Sequence, residues 1–328
     1  MTIGHVAELW RYPVKSLGGG RVEQADISAS GVLGDRLWAV RDVEKDVTAS
    51  ARQLPVLLTA TARYPGAVPA DAGPGNVPEV EISFPDGTVL SSSDDGVHAK
   101  LSELAGREVR LTALPPAEDT SLQKLSRAER SETMSAGWLR AAFGMSDDEK
   151  LPDFSMVRVT DFVNFTRYST PPGMFVDLAP IHVLTKTSLA TIGTEVGSDL
   201  DVRRFRPNVL LALDNPDDGL PESHWTGARL ALGDVVLDVM MPTIRCVVPS
   251  RAQPGFEVDR RITKAVATRA ERCLGVYCWV QSGGSIRAGD DVALRPVSAG
   301  RKVVTTAARR TKRFTFGLVN EALDRLSR

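Results

Sequence analysis

The shortness of its apolar runs constrains this chain most. Val6-Ala7-Glu8-Leu9-Trp10, Leu37-Trp38-Ala39-Val40, Val80-Glu81-Ile82-Ser83-Phe84 and Val109-Arg110-Leu111-Thr112 are each bounded by turn formers, among them Gly18-Gly19-Gly20, Gly34-Asp35 and Pro85-Asp86-Gly87. Runs this short span a strand but cannot give a helix a useful buried face, so residues 1–112 read as a β-rich domain. With 27 Gly and 20 Pro in 328 residues, the remainder has turns enough for the same architecture.

Around residue 113 the pattern changes. Pro115-Pro116 opens an acidic, Ser-rich connector over 113–155, with helix-like spacing over 122–143. A second β-rich block covers 156–296, with strands expected at 209–213, 235–241, 247–248 and 275–280. One helix is expected over 188–196, where Leu189, Ile192 and Val196 share a face. The fold class is therefore mainly β with some α. Residues 297–328 form a basic tail; 301–328 carry eight Lys or Arg against two acids, a local +6 that leaves -7 for the rest of a chain whose net charge is -1. Phe314, Leu318, Val319, Leu323 and Leu326 lie at helical spacing there, for a helix packed on its own protein or a docking site for a partner or membrane surface.

Several chemistries lose their markers. The near-neutral charge gives no electrostatic reason to expect nucleic acid as a partner. There is no G-x-x-x-x-G-K-[ST] loop, H-E-x-x-H, C-x-x-C or G-x-S-x-G elbow. His5, His98, His182 and His224 are widely spaced and read as surface or satisfied core residues. Three cysteines cannot all pair and fall short of the four ligands an iron–sulfur cluster usually takes; Cys273 and Cys278 read as small buried side chains. The N-terminal stretch lacks a basic start and apolar run, and no segment approaches the roughly 20 apolar residues of a membrane span, so a reducing, cytoplasmic setting is expected.

Five blocks carry the chemistry: Tyr12-Pro13-Val14-Lys15-Ser16, Gly34-Asp35-Arg36, Phe205-Arg206-Pro207-Asn208, Pro242-Thr243-Ile244-Arg245-Cys246 and the 284–290 run ending in Gly289-Asp290. Pro242 should end a strand and present Cys246 on a loop, where a thiolate favoured by adjacent Arg245 can bind a soft metal. The alternative for Cys246 is a small hydrophobe in a core. In this order the blocks resemble the MOSC family, named from the C-terminal domain of molybdenum cofactor sulfurase, and the likeness takes in the N-terminal β-barrel domain that accompanies MOSC in amidoxime-reducing proteins.

The resemblance implies two domains, an N-terminal MOSC-type β-barrel and a MOSC β-barrel. It implies molybdenum cofactor (molybdopterin) ligated by Cys246 as the catalytic and metal-binding residue. Lys15, Ser16, Arg36, Arg206 and Asn208 would grip the cofactor's phosphate and pterin, with Thr185, Thr243 and Arg245 as further contacts. Thr185 and Ser188 both fit the cofactor, while Ser188 also suits a helix N-cap. Asp177 and Asp290 resemble family positions, though Gly289-Asp290 also reads as a turn before the next strand. The implied activity is oxygen removal from small N-hydroxylated or N-oxide-like molecules, with electrons from a separate flavin, ferredoxin or b-type cytochrome protein. Sulfur transfer through a Cys246 persulfide and non-catalytic cofactor carriage are the other readings. After the cysteine, where relatives often carry Thr-x-Asp-Pro-like residues, this chain has Val247-Val248-Pro249-Ser250-Arg251, which leaves substrate identity open.

Overall fold

In a computed structural model of the protein, residues 2–133, 135–146, 149, 164, 166–215 and 219–296 are described. Strand β1 (Thr2–Arg11) is followed by short strands β2 (Gly20–Val22), β3 (Gln24–Ser28), β4 (Gly31–Val32), β5 (Trp38–Asp42), β6 (Val47–Thr48), β7 (Thr61–Arg63), β8 (Glu81–Ser83) and β9 (Val89–Ser91). Helix α1 (Val97–Ala105) precedes β10 (Val109–Ala113), and α2 (Arg127–Thr133) and α3 (Ala136–Phe143) come after it. The C-terminal half contributes β11 (Ile181–Thr185), α4 (Lys186–Val196), β12 (Val209–Leu213), β13 (Arg229–Leu232), β14 (Val235–Ile244), α5 (Arg260–Arg269), β15 (Cys273–Ser282), β16 (Gly284–Arg287) and β17 (Asp291–Arg295).

Seven strands close a barrel in the order β12-β11-β15-β14-β13-β17-β1, and β1 returns to β12. The chain's first strand is thus the closing stave: it pairs with β17 through Gly4↔Val292 and with β12 through Val6↔Leu211 and Leu9↔Val209. Gly4 has a φ of 155°, and a Cβ there would strike the Ala212 carbonyl, so only glycine lets the two edges approach. Alternating side chains of β14 (Val235, Leu237, Val239, Met241) are buried, and most join Val6, Leu9, Val183, Leu211, Leu230, Val276 and Val292 inside. Each such side chain contributes roughly 1.5–3 kcal/mol by leaving water. Cys278 is part of this core and Cys273 is half-buried.

Strand β2 extends the barrel sheet beside β1, and the remaining strands of the N-terminal half form small three-stranded sheets, β10-β5-β6, β7-β8-β9 and, with β16 joining from the C-terminal half, β16-β3-β4. Val14, Leu17, Val40, Leu57, Ile82, Val97, Leu101 and Val109 build a second core there.

Four local expectations change. Pro242 does not end its strand: β14 runs on to Ile244, Pro242 stays opposite Val276, and the register shift beyond it absorbs the missing N–H. Val247-Val248 is no strand, because Pro249 and its neighbours form a 3₁₀ turn, Val248–Ser250. The helical pattern over 122–143 divides into α2 and α3, with Ser135 capping the second. Helix α4 starts earlier than expected, and its N-cap is Thr185, whose hydroxyl accepts from the Ser188 N–H at 3.1 Å. The 297–328 tail, including the helical spacing at 314–326, lies outside the described residues. Among the described residues no helix is long and apolar enough to cross a membrane.

Candidate functional site

At one end of the barrel, where β1 stops, the chain folds back on the 34–38 turn. The Arg36 N–H donates to the Tyr12 carbonyl at 2.7 Å and the Lys15 N–H to the Trp38 carbonyl at 2.8 Å. Asp35 accepts from the Tyr12 N–H at 2.7 Å and pairs with the Arg36 guanidinium. Two cations cover the Tyr12 ring: Arg36 at 5.0 Å from its centroid and Arg206 at 4.3 Å. Ser16, Arg36 and Arg206 have φ of 70°, 51° and 55°, in the left-handed region that costs a side-chain-bearing residue about 1–2 kcal/mol. Asp46, Glu271 and Arg272 share this backbone region elsewhere in the chain, but here three such residues meet at one end of the barrel.

The buried Lys15 ammonium donates to Asp177 Oδ1 at 2.5 Å, and Arg52 approaches the same oxygen at 3.7 Å. The enclosed surroundings work against ionisation of Asp177, whose own side chain is 52% exposed, but Lys15, Arg52 and Arg36 outweigh this and hold the carboxyl below the usual carboxylate range, an effect that solvent screening moderates. Because its unfolded counterpart titrates at about 3.9, this stabilisation is full above that value and fades as pH falls below it. Asp177→Asn is therefore expected to lower the melting temperature at pH 7 by more than at pH 3; an equal loss at both, measured by thermal denaturation, would remove the ion-pair account.

Ser16 works through the backbone: its Oγ accepts from the Ala51 N–H at 2.9 Å and so anchors the turn carrying Arg52. Ala51, Leu58 and Val248 in turn form the apolar patch against which half-buried Cys246 packs. Arg52 and Tyr277 lie within electrostatic reach of that cysteine. The Arg245 guanidinium donates to the Phe205 carbonyl at 2.8 Å and sits 3.5 Å from His182 Nε2. Burial, then Arg245, pushes His182 well below its ordinary value, so its imidazole is neutral. Burial with Arg36 alongside brings Arg206 down to about 10. A Cβ on Gly275 (φ 80°) would collide with the His182 ring, so glycine there lets β15 pass beneath it.

Tyr12 OH, Arg206 Nη2, Thr243 Oγ1 and Arg245 Nε are buried and have no hydrogen-bond partner among the described residues. Each such atom costs about 1–3 kcal/mol unless a ligand or water satisfies it. All four can donate. With Lys15, Arg36, Arg52, Arg206 and Arg245 set against Asp35 and Asp177, the site suits an anionic, oxygen-rich group.

Of the residues expected from sequence, Lys15, Ser16, Arg36, Arg206, Thr243, Arg245 and Cys246 belong to this end of the barrel. Thr185 and Asn208 have other partners: Thr185 caps α4 and donates to buried Glu222 at 2.8 Å, while Asn208 accepts from the His182 N–H at 3.2 Å. Asp290 accepts from the Arg287 N–H at 2.8 Å and closes the turn before β17. Arg52, Tyr277 and His182 escaped the sequence reading. His182 sits next to a recognised stretch, but no local pattern announces the other two.

Residues 3–108 match the family model of the MOSC N-terminal beta barrel domain, and residues 171–293 match that of the MOSC domain. The chain belongs to the MOSC family. Among curated relatives, this MOSC protein is 24% identical over 320 residues to human mitochondrial amidoxime-reducing component 1, spanning 89% of this chain and 83% of the relative. It is 25% identical over 307 residues to human mitochondrial amidoxime reducing component 2, spanning 88% and 83%. Among solved structures, the YUAD protein of Bacillus subtilis matches with a TM-score of 0.43 at 12% identity, spanning 91% of this chain and 98% of that one.

Proposed function

We propose that this MOSC protein is a molybdenum-cofactor-dependent oxidoreductase that reduces small N-hydroxylated or N-oxide-like molecules. The observation that carries the reading is a half-buried thiol beside a cluster of cations, several of whose buried donors lack partners among the described residues. The donor set fits the cofactor: Lys15, Arg36 and Arg206 would hold its phosphate and pterin, and Tyr12, Thr243 and Arg245 would supply further hydrogen bonds. Cys246 would be the protein's soft ligand to the metal. Among the described residues no group of three or more His, Cys, Asp or Glu could hold a metal ion, so other soft donors would come from the cofactor.

When bound, the cofactor supplies oxygen-atom removal: two electrons and two protons convert R–NHOH to R–NH2 and water. The chain's residues would orient the cofactor and the substrate, and a separate electron-donor protein would supply the electrons. The substrate class comes from the amidoxime-reducing relatives and stands at the level of family likeness.

The test is to purify the protein from a host that makes the cofactor, measure molybdenum and pterin per chain, and assay benzamidoxime reduction with an artificial reductant. Co-purified cofactor with turnover is the expected result. A labile extra sulfur on Cys246 without molybdenum would replace the reading with sulfur transfer, and cofactor without turnover would leave a carrier.

A further inference from the structure

Arg52 stands apart from the other cations of the site, since the Nη2 of Arg206, also without a partner among the described residues, is buried beside the Tyr12 ring, whereas Arg52 is partly exposed. Arg36 is tied to Asp35, and Lys15 to Asp177; Arg245 donates to the Phe205 carbonyl. The Arg52 guanidinium makes no hydrogen bond among the described residues: its fixed contacts are an ion pair to Asp177 at 3.7 Å, beyond hydrogen-bond range, and the face of Trp138 at 5.9 Å. Its side chain is 24% exposed, so its donors remain accessible. Its backbone is fixed, because the preceding residue, Ala51, is held by Ser16 and packs in the patch that supports Cys246.

Trp138 reaches this place from the connector. Helix α3 begins at Ser135, whose hydroxyl accepts from the Trp138 N–H at 3.1 Å, and its far end is tied to the segment after the cysteine by the Val247 N–H donating to the Ala142 carbonyl at 3.0 Å. A half-buried indole, a guanidinium with free donors and a thiol are thereby gathered from three separated stretches of chain.

We infer that Arg52 binds substrate: its guanidinium receives the oxygen-bearing head of a planar small molecule beside Cys246, with Trp138 positioning the guanidinium and walling the pocket. The class selected is planar molecules whose head carries full or partial negative charge on oxygen, because a planar fork of donors matches such an edge and an indole face suits a flat body. Asp177, already engaged by Lys15, attracts Arg52 from 3.7 Å without consuming its donors. This inference rests on the proposed reductase reading for its chemistry, but the binding step does not require the metal.

The experiment measures binding of benzohydroxamate and of benzamide by titration calorimetry to wild type, Arg52→Gln, Arg52→Lys, Trp138→Leu and Trp138→Phe, with molybdenum and pterin content measured on each. Losing charge-assisted hydrogen bonds should weaken benzohydroxamate about 10-fold or more in Arg52→Gln, with benzamide little changed and cofactor content retained. Arg52→Lys should recover only part, since a point charge lacks the fork. Trp138→Leu should weaken benzohydroxamate and Trp138→Phe restore it. Equal loss for both probes, no loss, no binding by wild type, or loss of cofactor from Arg52→Gln would each overturn the assignment, the last by making Arg52 a cofactor ligand. A protein without molybdenum that still discriminates the probes through Arg52 would sink the reductase reading and leave this one standing.

Discussion

Cys246→Ser is expected to keep the fold, lose molybdenum and lose roughly 100-fold or more in reductase turnover, since partners that only support a metal's ligands already cost 10–100-fold when removed. The reasoning is chemical: a serine hydroxyl is a hard, protonated oxygen at neutral pH, a poor exchange for a soft thiolate. It is also structural. Cys246 is only half-buried against Ala51, Leu58 and Val248, so swapping sulfur for oxygen disturbs little packing, and the melting temperature should move by only a few degrees. Metal analysis beside a melting curve separates the two effects. A Cys246→Ser protein with normal molybdenum and turnover would strip the cysteine of its role.

Arg204→Ala should be among the most destabilising single changes, at about 2–4 kcal/mol. The guanidinium, 7% exposed, donates to the Pro249 carbonyl at 3.0 Å, to that of Arg251 at 3.3 Å and to that of Glu257 at 3.0 Å, and lies 4.8 Å from the Phe256 centroid. Hydrogen bonds to a charged group are each worth about 1.5–3 kcal/mol, and truncation leaves three carbonyls to find water, partly offset by the desolvation the arginine no longer suffers. These bonds fasten the segment that follows Cys246 to the turn before β12, so faster amide exchange over 248–257 should accompany the stability loss. Arg204→Lys should rescue little, because one ammonium cannot reach carbonyls set out for a planar fork. Denaturant unfolding of both variants decides it: full recovery by lysine would reduce the role to charge alone.

The candidate site was legible through the resemblance that a few residue identities carry. A free cysteine behind Pro242-Thr243-Ile244-Arg245, and cations in short blocks beside prolines and glycines, resemble the MOSC family by their order, and the fold brings Lys15, Arg36, Arg206, Arg245 and Cys246 to one end of the barrel. Arg52 was not legible, since its place depends on a bond between Ser16 and the Ala51 backbone that no local pattern encodes. Thr185 and Ser188 were ambiguous for a related reason: both side chains can cap, and the choice is settled by where β11 hands over to α4, with Glu222 receiving both hydroxyls at 2.8 and 2.6 Å. Strand positions followed from alternation, but Pro242 was misjudged because a register shift on β14 can accommodate a residue that lacks an N–H. A barrel was expected, but the strand pairing that closes it lay beyond reading, because Gly4 and Val292 are nearly 290 residues apart in the sequence.

The manner of that closure sets the timing of the protein's biogenesis. The first strand leaves the ribosome long before its partners exist, and at ~5–20 residues per second the wait until β17 is made is roughly 15–60 s. For about the first 10–40 s of that interval, until β12 is made, an apolar stave bearing Val6 and Leu9 has neither barrel neighbour, and from then until β17 appears one of its edges stays open to other nascent chains.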